Sequence, residues 1–273
     1  MALDARVLVA NDDGVKARGM WFLVDILKDM GFTVYFATTR LPYSGAGKSV
    51  SWKFKVETAN IRGVTGIIAT GTPAAAVLYV LNALDWSPDF VVTGINHGAN
   101  LGLEDLFTSG TYGAALESVL NGVPAISISK FLENNTRDIE FSDEDRFYLK
   151  LIIERFWRIV QDSEALDCLP LNVNLPSTPP KGIAVTRVSR KVYRGLEFVE
   201  NDGLYEIRRN LSGFYDDGLA ECNDIWAVYN SLVSVSPTCP WCLGSGEKAR
   251  TRDLSGCGVD YIVEGCSNGI RCI

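Results

Sequence analysis

The feature that most constrains the fold is a short apolar run near the N-terminus that stops abruptly at two acids. Residues 7–10 read Val-Leu-Val-Ala, and residues 11–14 read Asn-Asp-Asp-Gly. A short apolar run bounded by turn-forming residues is typical of a buried strand. Because ligands of open parallel sheets bind at the carboxyl ends of the strands, the acidic loop lies where a binding site is expected.

The two adjacent carboxylates of this loop, Asp12 and Asp13, indicate a cation. Two acids so close repel each other unless a cation neutralises them, and hard oxygen ligands favour Mg²⁺, Mn²⁺ or Ca²⁺. We interpret both residues as metal ligands. The alternative is a plain Asn-Asp-Asp-Gly turn with two solvated acids, since these residue types are ordinary turn formers. The other loops of the chain must decide between the two.

The first half of the chain alternates strands and helices. Apolar residues recur at helical spacing over residues 19–29 and 112–120, and Pro73 suits the first turn of a further helix. Buried strands are predicted at residues 33–37, 89–93 and 123–129, and an alternating surface strand at residues 50–56. This order predicts an α/β fold with a doubly wound, mainly parallel sheet, which is a Rossmann-like three-layer core.

Charge and hydropathy exclude several classes of partner. The net charge is −7 without a basic cluster, so a nucleic-acid polymer is not expected as the main partner. No 18-residue apolar run and no signal-peptide pattern is found, so we expect no membrane partner and a cytoplasmic location. The first 235 residues carry only Cys168 and Cys222, which agrees with a reducing compartment.

Four polar, glycine-containing loops are expected at the same edge of the sheet: residues 11–14, 43–49, 96–102 and 109–111. Their oxygen atoms and backbone N–H groups suit a divalent cation and a phosphate dianion. A metal held by Asp12 and Asp13 would lower the pKa of a water molecule for in-line attack on phosphorus. N–H groups at the helix start after Ser109 would meet the phosphate oxygens. A covalent aspartyl-phosphate is the alternative pathway.

Several segments together resemble one known family. They are Asn11-Asp12-Asp13-Gly14, Ser44-Gly45 with Gly47 and Ser49, Gly71-Thr72-Pro73-Ala74, the segment 94–102, and the segment 109–115. In order and spacing they resemble the SurE (stationary-phase survival protein) family over about residues 6–237. The resemblance implies a metal-dependent phosphatase, a 5'/3'-nucleotidase that hydrolyses nucleoside monophosphates to nucleoside and inorganic phosphate.

The resemblance also implies roles for single residues. It implies one divalent metal ion per subunit, Mg²⁺ or Mn²⁺, held by Asp12, Asp13, Ser44 and Asn96, with the two acids also catalytic. The candidate phosphate-binding residues are Asn11, Gly45, Lys48, Asn100, Ser109, Gly110 and Thr111. Ser44 and Asn96 have plainer alternatives as turn residues. His97, the only histidine, either orients the site or transfers a proton. Glu104 and Asp105 are expected to be solvated loop acids.

Two departures from the family pattern affect the expected rate and substrate. Lys48 stands where the family usually has His, and Ala75-Ala76 stands in place of the usual Asp-Cys. Lys48 can still offer a point charge to a phosphate. The departures motivate an alternative function, a nucleotide-binding or regulatory protein without turnover. Residues 44–49 also resemble the end of an NTPase P-loop, but Pro42 stands at the required first glycine and no helix is predicted to follow.

The chain as a whole is predicted to have three parts. Residues 1–180 are expected to form the metal- and phosphate-binding core, ending in a long amphipathic helix near residues 147–160. Residues 181–237 form a β-rich hairpin arm, with a turn at Asn201-Asp202-Gly203, and a return segment. The family resemblance implies a homodimer or homotetramer through this arm. Residues 238–273 form a tail with five cysteines, which we expect to be disordered, with a structural zinc site as one alternative.

Overall fold

The structure, a computed structural model, describes residues 5–132, 139–161, 169–190, 192–193, 196–209, 214–215 and 223–238. The helices are α1 (Arg18–Asp29), α2 (Pro73–Ala83), α3 (Gly102–Thr108), α4 (Gly110–Leu120), α5 (Asp143–Gln161) and α6 (Asp224–Tyr229). The strands are β1 (Arg6–Asn11), β2 (Thr33–Thr39), β3 (Val56–Ile61), β4 (Val64–Ala69), β5 (Phe90–His97), β6 (Ala125–Lys130), β7 (Leu171–Leu175), β8 (Gly182–Val185), β9 (Val192–Tyr193), β10 (Leu196–Asn201), β11 (Leu204–Arg209), β12 (Phe214–Tyr215) and β13 (Leu232–Pro237).

A nine-stranded sheet forms the centre of the fold, in the order β3-β4-β2-β1-β5-β6-β7-β13-β8. The six strands from β4 to β7 in this order pair in parallel. One edge is closed by β3, antiparallel to β4, and the other by β13, antiparallel to β7, with β8 parallel to β13. The predicted α/β fold, with its doubly wound and mainly parallel sheet, is therefore confirmed.

The strand order reverses direction beside β1. The chain first builds the sheet outward from β1 through β2 to β4, and then returns to place β5 on the other side of β1. The loops that leave β1 and β5 are therefore neighbours at the carboxyl edge of the sheet. A crevice opens at such a topological switch point, because the two connecting chains diverge to opposite sides.

Close packing places the start of α1 against the end of β5. Val7, Leu8 and Val9 of β1 are fully buried, as the apolar run predicted. A Cβ atom added to Gly19 would lie 2.1 Å from the carbonyl oxygen of Ile95, so only glycine permits this approach. The helix is thereby held beside the loop that follows β5. Among the described residues, no helix has the length and apolar character needed to cross a bilayer.

The surface strand predicted at residues 50–56 is wrong, since the strand begins only at Val56. The backbone N–H of Ser51 donates to the hydroxyl oxygen of Thr72, and the N–H of Thr72 donates to that of Ser51, both at 3.1 Å. Residues just before β3 therefore brace the start of α2 instead of extending the sheet. As expected for a chain that is not a P-loop protein, no helix follows Ser49 directly.

The loop expected around Glu104 and Asp105 is also different, because these residues lie in the short helix α3. Asp105 is buried rather than solvated, which corrects the prediction for that residue. Helix α3 ends at Thr108 and helix α4 begins at Gly110, so the predicted loop at residues 109–111 is a junction between the two helices.

The predicted C-terminal β-hairpin is present. Strands β10 and β11 pair antiparallel, and Asp202 and Gly203 connect them with φ values of 49° and 80°. Two consecutive positive φ values match the twist of a two-residue hairpin turn, and Asp-Gly tolerates them well. Strands β8 and β13 belong to the central sheet and not to the arm. The tail beyond Thr238, with its cysteines, lies outside the described residues.

Candidate active site

The acidic loop is shaped by its own backbone and by two neighbouring segments. Oδ1 of Asn11 accepts a hydrogen bond from the backbone N–H of Asp13 at 2.9 Å. The carbonyl oxygen of Asp12 accepts bonds from the Thr39 hydroxyl at 3.2 Å and from the Tyr43 N–H at 3.0 Å. The side chain of Asp12 is only 4% exposed. The first acid is therefore a fixed, buried group and not a solvated turn residue.

The carboxylate of Asp12 lies against the first turn of α4. The Thr111 hydroxyl donates to Oδ1 of Asp12 at 2.6 Å. A Cβ atom added to Gly110 would lie 2.6 Å from Oδ2 of Asp12, so a larger residue would displace the carboxylate. The side chain of Ser109 caps the same helix by accepting from the Tyr112 N–H at 3.0 Å. Ser109, Gly110 and Thr111 thus build the wall beside Asp12.

The second acid faces the loop that follows β5. Oδ2 of Asp13 accepts a hydrogen bond from the backbone N–H of His97 at 3.0 Å. The Asn96 side-chain amide donates to the carbonyl oxygen of Gly98 at 2.8 Å, within its own loop. This contact uses the Nδ2 donor of Asn96 and leaves its Oδ1 oxygen as the atom that can serve as a metal ligand.

Burial sets the electrostatics of the acidic pair. It raises the pKa of Asp12 to about 7, and the nearby negative charge of Asp13 adds to the rise, while the hydrogen bonds from Thr111 oppose it. Burial also raises the pKa of Asp13, and the N–H of His97 opposes that rise. Both groups are therefore costly to ionise without a counter-charge, and a bound cation would supply one.

A cavity of about 400 Å³ opens next to Asp13. Its lining includes residues of the loop at residues 43–49 (the serine loop), of the end of β5 and of the start of α1. The lining residues are Asp13, Lys16, Ala17, Arg18, Gly19, Ser44, Ile95, His97 and Ile139. The serine loop is held in place by the Gly47 N–H, which donates to the carbonyl oxygen of Thr108 at 2.8 Å. The structure therefore brings Ser44 and His97 to the same space as the second acid. Gly45 forms the turn of the serine loop, with a φ of 78°.

The side chain of Lys48 has a protein partner. Its Nζ lies 2.6 Å from Oε2 of Glu117 on α4, and Glu117 is largely buried. The role predicted for Lys48, a charge offered to phosphate, therefore competes with a structural role in holding the serine loop to α4. Glu117 carries no signal in the sequence, because it lies on a helix face that only the folded loop covers.

Asn100 is anchored by a buried polar network on the neighbouring strands. Its N–H donates to Oδ1 of Asn174 at 2.8 Å, and its side-chain amide donates to the Ser129 hydroxyl oxygen at 2.8 Å. Its carbonyl oxygen accepts from the Asn172 amide at 2.9 Å. All four residues are buried, so their hydrogen bonds fix the position of the loop after β5.

Asp224 supports the same loop from the far end of the chain. Its carboxylate accepts from the Gly102 N–H at 2.8 Å, the Ser189 N–H at 3.0 Å and the Ile225 N–H at 2.9 Å. Desolvation raises the pKa of this buried acid, and the three N–H groups oppose the rise. Sequence reasoning missed this residue because the contact spans 122 positions along the chain.

The donor set at the acidic loop fits a hard divalent cation. Within the described part of the chain, no three His, Cys, Asp or Glu side chains cluster, so the ligands would be two carboxylates with the neutral oxygens of Ser44 and Asn96. Such an oxygen set suits Mg²⁺ or Mn²⁺ better than zinc. Nδ2 of Asn11 is buried without a hydrogen-bond partner in this part of the chain, so it remains a donor for a ligand.

Fold and site together define a doubly wound α/β protein that carries two adjacent acids, the buried Asp12 and the half-buried Asp13, at the topological switch point of its sheet. A family model described as survival protein SurE matches residues 7–195. The chain belongs to this family, as its motifs predicted.

Relatives and a solved structure extend the match over most of the chain. The relative from Methanoculleus marisnigri, named 5'-nucleotidase SurE, is 30% identical over 249 residues, which are 85% of this chain and 90% of the relative. That from Thermus thermophilus, named 5'-nucleotidase SurE 1, is 33% identical over 241 residues, with the same coverage. The crystal structure of the SurE protein from Aquifex aeolicus matches with a TM-score of 0.69 and 29% identity, covering 89% of this chain and 98% of that chain.

Proposed function

We propose that this protein is a metal-dependent phosphatase that hydrolyses nucleoside monophosphates to nucleoside and inorganic phosphate. The proposal makes it a phosphoric monoester hydrolase, in agreement with relatives named 5'-nucleotidase SurE. No feature of the described residues favours the alternative of a binding protein without turnover.

One observation carries the proposal: Asp12 lies buried and Asp13 half-buried at the switch point, and the second acid is hydrogen-bonded to the loop after β5. A pair of acids in this position stabilises the metal-free protein poorly, because burial opposes the ionisation of both. Their arrangement is therefore best explained by a cation and an anionic substrate in the adjacent cavity.

The residues of the chain have distinct tasks in the proposed reaction. Asp12, Asp13, Ser44 and Asn96 would hold one Mg²⁺ or Mn²⁺ ion. When bound, this ion neutralises phosphate charge and activates water for in-line attack. Thr111 orients the carboxylate of Asp12, and Gly110 allows α4 to approach it.

Several residues remain candidates for phosphate binding rather than for catalysis. Asn11 offers its unpartnered amide, and Asn100 is held rigidly near the end of β5. Backbone N–H groups at Gly45 and Gly110 would complete the contacts, beside the side chains of Ser109, Thr111 and Lys48. Direct attack by water is proposed over a covalent aspartyl-phosphate, because both carboxylates are assigned to the metal.

The hairpin formed by β10 and β11 supports the proposed homodimer or homotetramer. Four large apolar side chains on it are more than half exposed: Phe198, Leu204, Tyr205 and Ile207. Groups of exposed apolar side chains are typical of protein–protein interfaces. We further propose a core over residues 1–180, an arm and return segment over residues 181–237, a separate tail, and a cytoplasmic location.

The test is release of inorganic phosphate from a panel of nucleoside monophosphates. Purified protein is assayed with added Mg²⁺ or Mn²⁺, and again with excess chelator. We expect release that depends on the metal and is abolished by Asp12→Asn. The matched control is Asp85→Asn, which removes an exposed acid away from the site.

Two outcomes would contradict the proposal. Release that persists in chelator would reject the metal, and a normal rate in Asp12→Asn would reject the assigned site. No release from any nucleotide by folded protein, with nucleotide binding retained, would favour the binding-only alternative.

A further inference from the structure

Two residues with cationic side chains line the cavity that contains the second acid. Lys16 and Arg18 lie on the short connection between the acidic loop and α1, and both contribute to the cavity wall together with Asp13, Ser44 and His97. Both residues are exposed to solvent. The protein carries a net charge of −7, so two cations three and five positions after a metal-binding acid are a local departure from its overall charge.

Neither cation is neutralised within the described part of the chain. The ion pairs there join other residues: Lys48 to Glu117, Lys130 to Asp145, and five surface pairs elsewhere. Among the described residues, no carboxylate oxygen lies within 4.0 Å of the charged nitrogen atoms of Lys16 or Arg18. Neither side chain donates a hydrogen bond to another described residue. Their charges therefore remain for a ligand in the cavity.

The backbone that carries these cations is held in a defined turn. The Ala17 N–H donates to the carbonyl oxygen of Gly14 at 3.0 Å, and the Trp21 indole N–H donates to that of Val15 at 2.8 Å. Gly19 packs directly on Ile95, which locks the start of α1 against the end of β5. Both side chains therefore start from fixed backbone positions in the lining of the cavity.

We propose that Lys16 and Arg18 form a subsite for a second phosphate group, so that the enzyme favours mononucleotides that carry two phosphates over those that carry one. This inference rests on the proposed function, because the reacting phosphate must lie at Asp12 and Asp13. A cavity of about 400 Å³ has room for a mononucleotide. When one phosphate group of the substrate lies at the metal, the second phosphate group still lies within the cavity. Arg18 can bind a phosphate through its planar fork, and Lys16 through a point charge.

The reaction at the doubly phosphorylated substrate is hydrolysis at one phosphorus: a phosphomonoester bond breaks where the second phosphate is on the ribose, and a phosphoanhydride bond where the two phosphates form a chain. The oxygen of water bonds to phosphorus, the P–O bond to the leaving oxygen breaks, and that oxygen takes a proton. The products are inorganic phosphate and the nucleotide with one phosphate fewer.

The experiment compares three substrates: adenosine 5'-monophosphate, adenosine 3',5'-bisphosphate and adenosine 5'-diphosphate. Wild type is compared with Lys16→Met, Arg18→Met and the double variant. The control is Lys28→Met, an exposed lysine on the same helix about 15 Å from Arg18 along the axis. The two doubly phosphorylated compounds distinguish a second phosphate on the ribose from one in a chain.

We expect the ratio of kcat/KM for the preferred doubly phosphorylated substrate to that for the monophosphate to fall about threefold for each cation removed and about tenfold in the double variant. Added salt should lower the ratio for wild type, because the cations are exposed. Lys28→Met should leave the ratio at the wild-type value. A ratio that is the same in wild type and the double variant would overturn the subsite.

Binding measured by calorimetry separates this inference from the proposed function. Wild type that binds adenosine 3',5'-bisphosphate or adenosine 5'-diphosphate more tightly than the double variant supports the subsite even where no phosphate is released. Phosphate release from the monophosphate with equal binding of both doubly phosphorylated compounds to wild type and variant supports the function and rejects the subsite.

Discussion

The hydroxyl group of Thr111 donates a 2.6 Å hydrogen bond to Oδ1 of Asp12, which joins the first turn of α4 to the carboxyl end of β1. The two residues are 99 positions apart in the chain. The bond occupies one oxygen of the buried carboxylate and favours its ionised form. The proposed metal ligand Asp12 is therefore oriented by a residue from another segment, and the hydrogen bond holds the first turn of α4 against this acid.

Replacing Thr111 by valine should weaken metal binding. Valine has a similar shape but no hydroxyl, so the carboxylate of Asp12 loses its orienting donor. Loss of such a supporting contact typically lowers metal affinity about tenfold or more. The measurement is calorimetric titration with Mn²⁺. Thr111→Ser keeps the hydroxyl and should bind nearly as well as wild type, and equal affinities of the valine variant and wild type would contradict the orienting role.

Metal-free protein should lose stability as the pH rises, and Asp12→Asn should remove much of that loss. Folding raises the pKa of Asp12 from 3.8 to about 7, so the folded state holds the proton more tightly. The tighter binding of the proton stabilises the folded state fully below about pH 4, and this stabilisation is lost as the pH rises through about 7. Each unit of pKa shift corresponds to about 1.4 kcal/mol, so the effect is on the order of a few kcal/mol.

Thermal unfolding in chelator at pH 5 and pH 8 tests this linkage. Asp12→Asn should unfold at a higher temperature than wild type at pH 8, and the difference should be smaller at pH 5. Asp85→Asn, at an exposed position, should follow wild type at both values. A variant that is less stable than wild type at pH 8 would show that burial of the charge is not the dominant effect.

Neutralising Lys48 should destabilise the fold by about 1–2 kcal/mol, because it leaves the largely buried carboxylate of Glu117 without its ion-pair partner. Lys48 is itself 35% exposed, which keeps the effect below that of a fully buried pair. Urea unfolding of Lys48→Met, Glu117→Gln and the double variant measures the coupling. The double variant should recover most of the lost stability.

The same variants also test the predicted contact between Lys48 and phosphate. If Lys48 contacts the substrate, Lys48→Met should lower phosphomonoester turnover more than metal affinity, and the double variant should not restore it. Turnover that recovers together with stability in the double variant would assign Lys48 to the structural pair alone.

Asp224→Asn should lower both stability and turnover. The carboxylate accepts three backbone N–H groups, and asparagine offers only one acceptor oxygen in its place. At least one buried N–H then loses its partner, at a cost of about 1–3 kcal/mol. Because Gly102 follows the loop that carries Asn100, we expect turnover to fall about tenfold. Unchanged kinetics with lower stability would limit Asp224 to a structural role.

Local patterns carried most of the fold prediction. The apolar run before Asn11 predicted β1, the alternation of periodic segments predicted the doubly wound sheet, and Asp202-Gly203 predicted the hairpin turn. Each of these signals depends on residues within a few positions of one another, and backbone preferences and side-chain period are set at that range. The family resemblance, likewise, rested on short motifs whose order survives in the chain.

The strand predicted at residues 50–56 failed for the opposite reason. Its alternation of polar and apolar residues is compatible with a strand, but Ser51 bonds to Thr72 and Phe54 packs beside Gly71. These residues therefore form tertiary contacts with the segment that leads into α2 and do not pair with the sheet. The buried position of Asp105 was missed in the same way, since burial depends on what packs against a helix.

The sequence by itself therefore determined the class of fold, the acidic loop and the candidate ligands, because these are encoded by neighbouring residues. Only the tertiary structure decided that Thr111 orients Asp12, that Lys48 pairs with Glu117, and that Lys16 and Arg18 share a cavity with Asp13. These contacts arise from the order of the strands, which brings distant loops to one edge of the sheet. Side chains far apart in the chain acquire partners only when that order is formed.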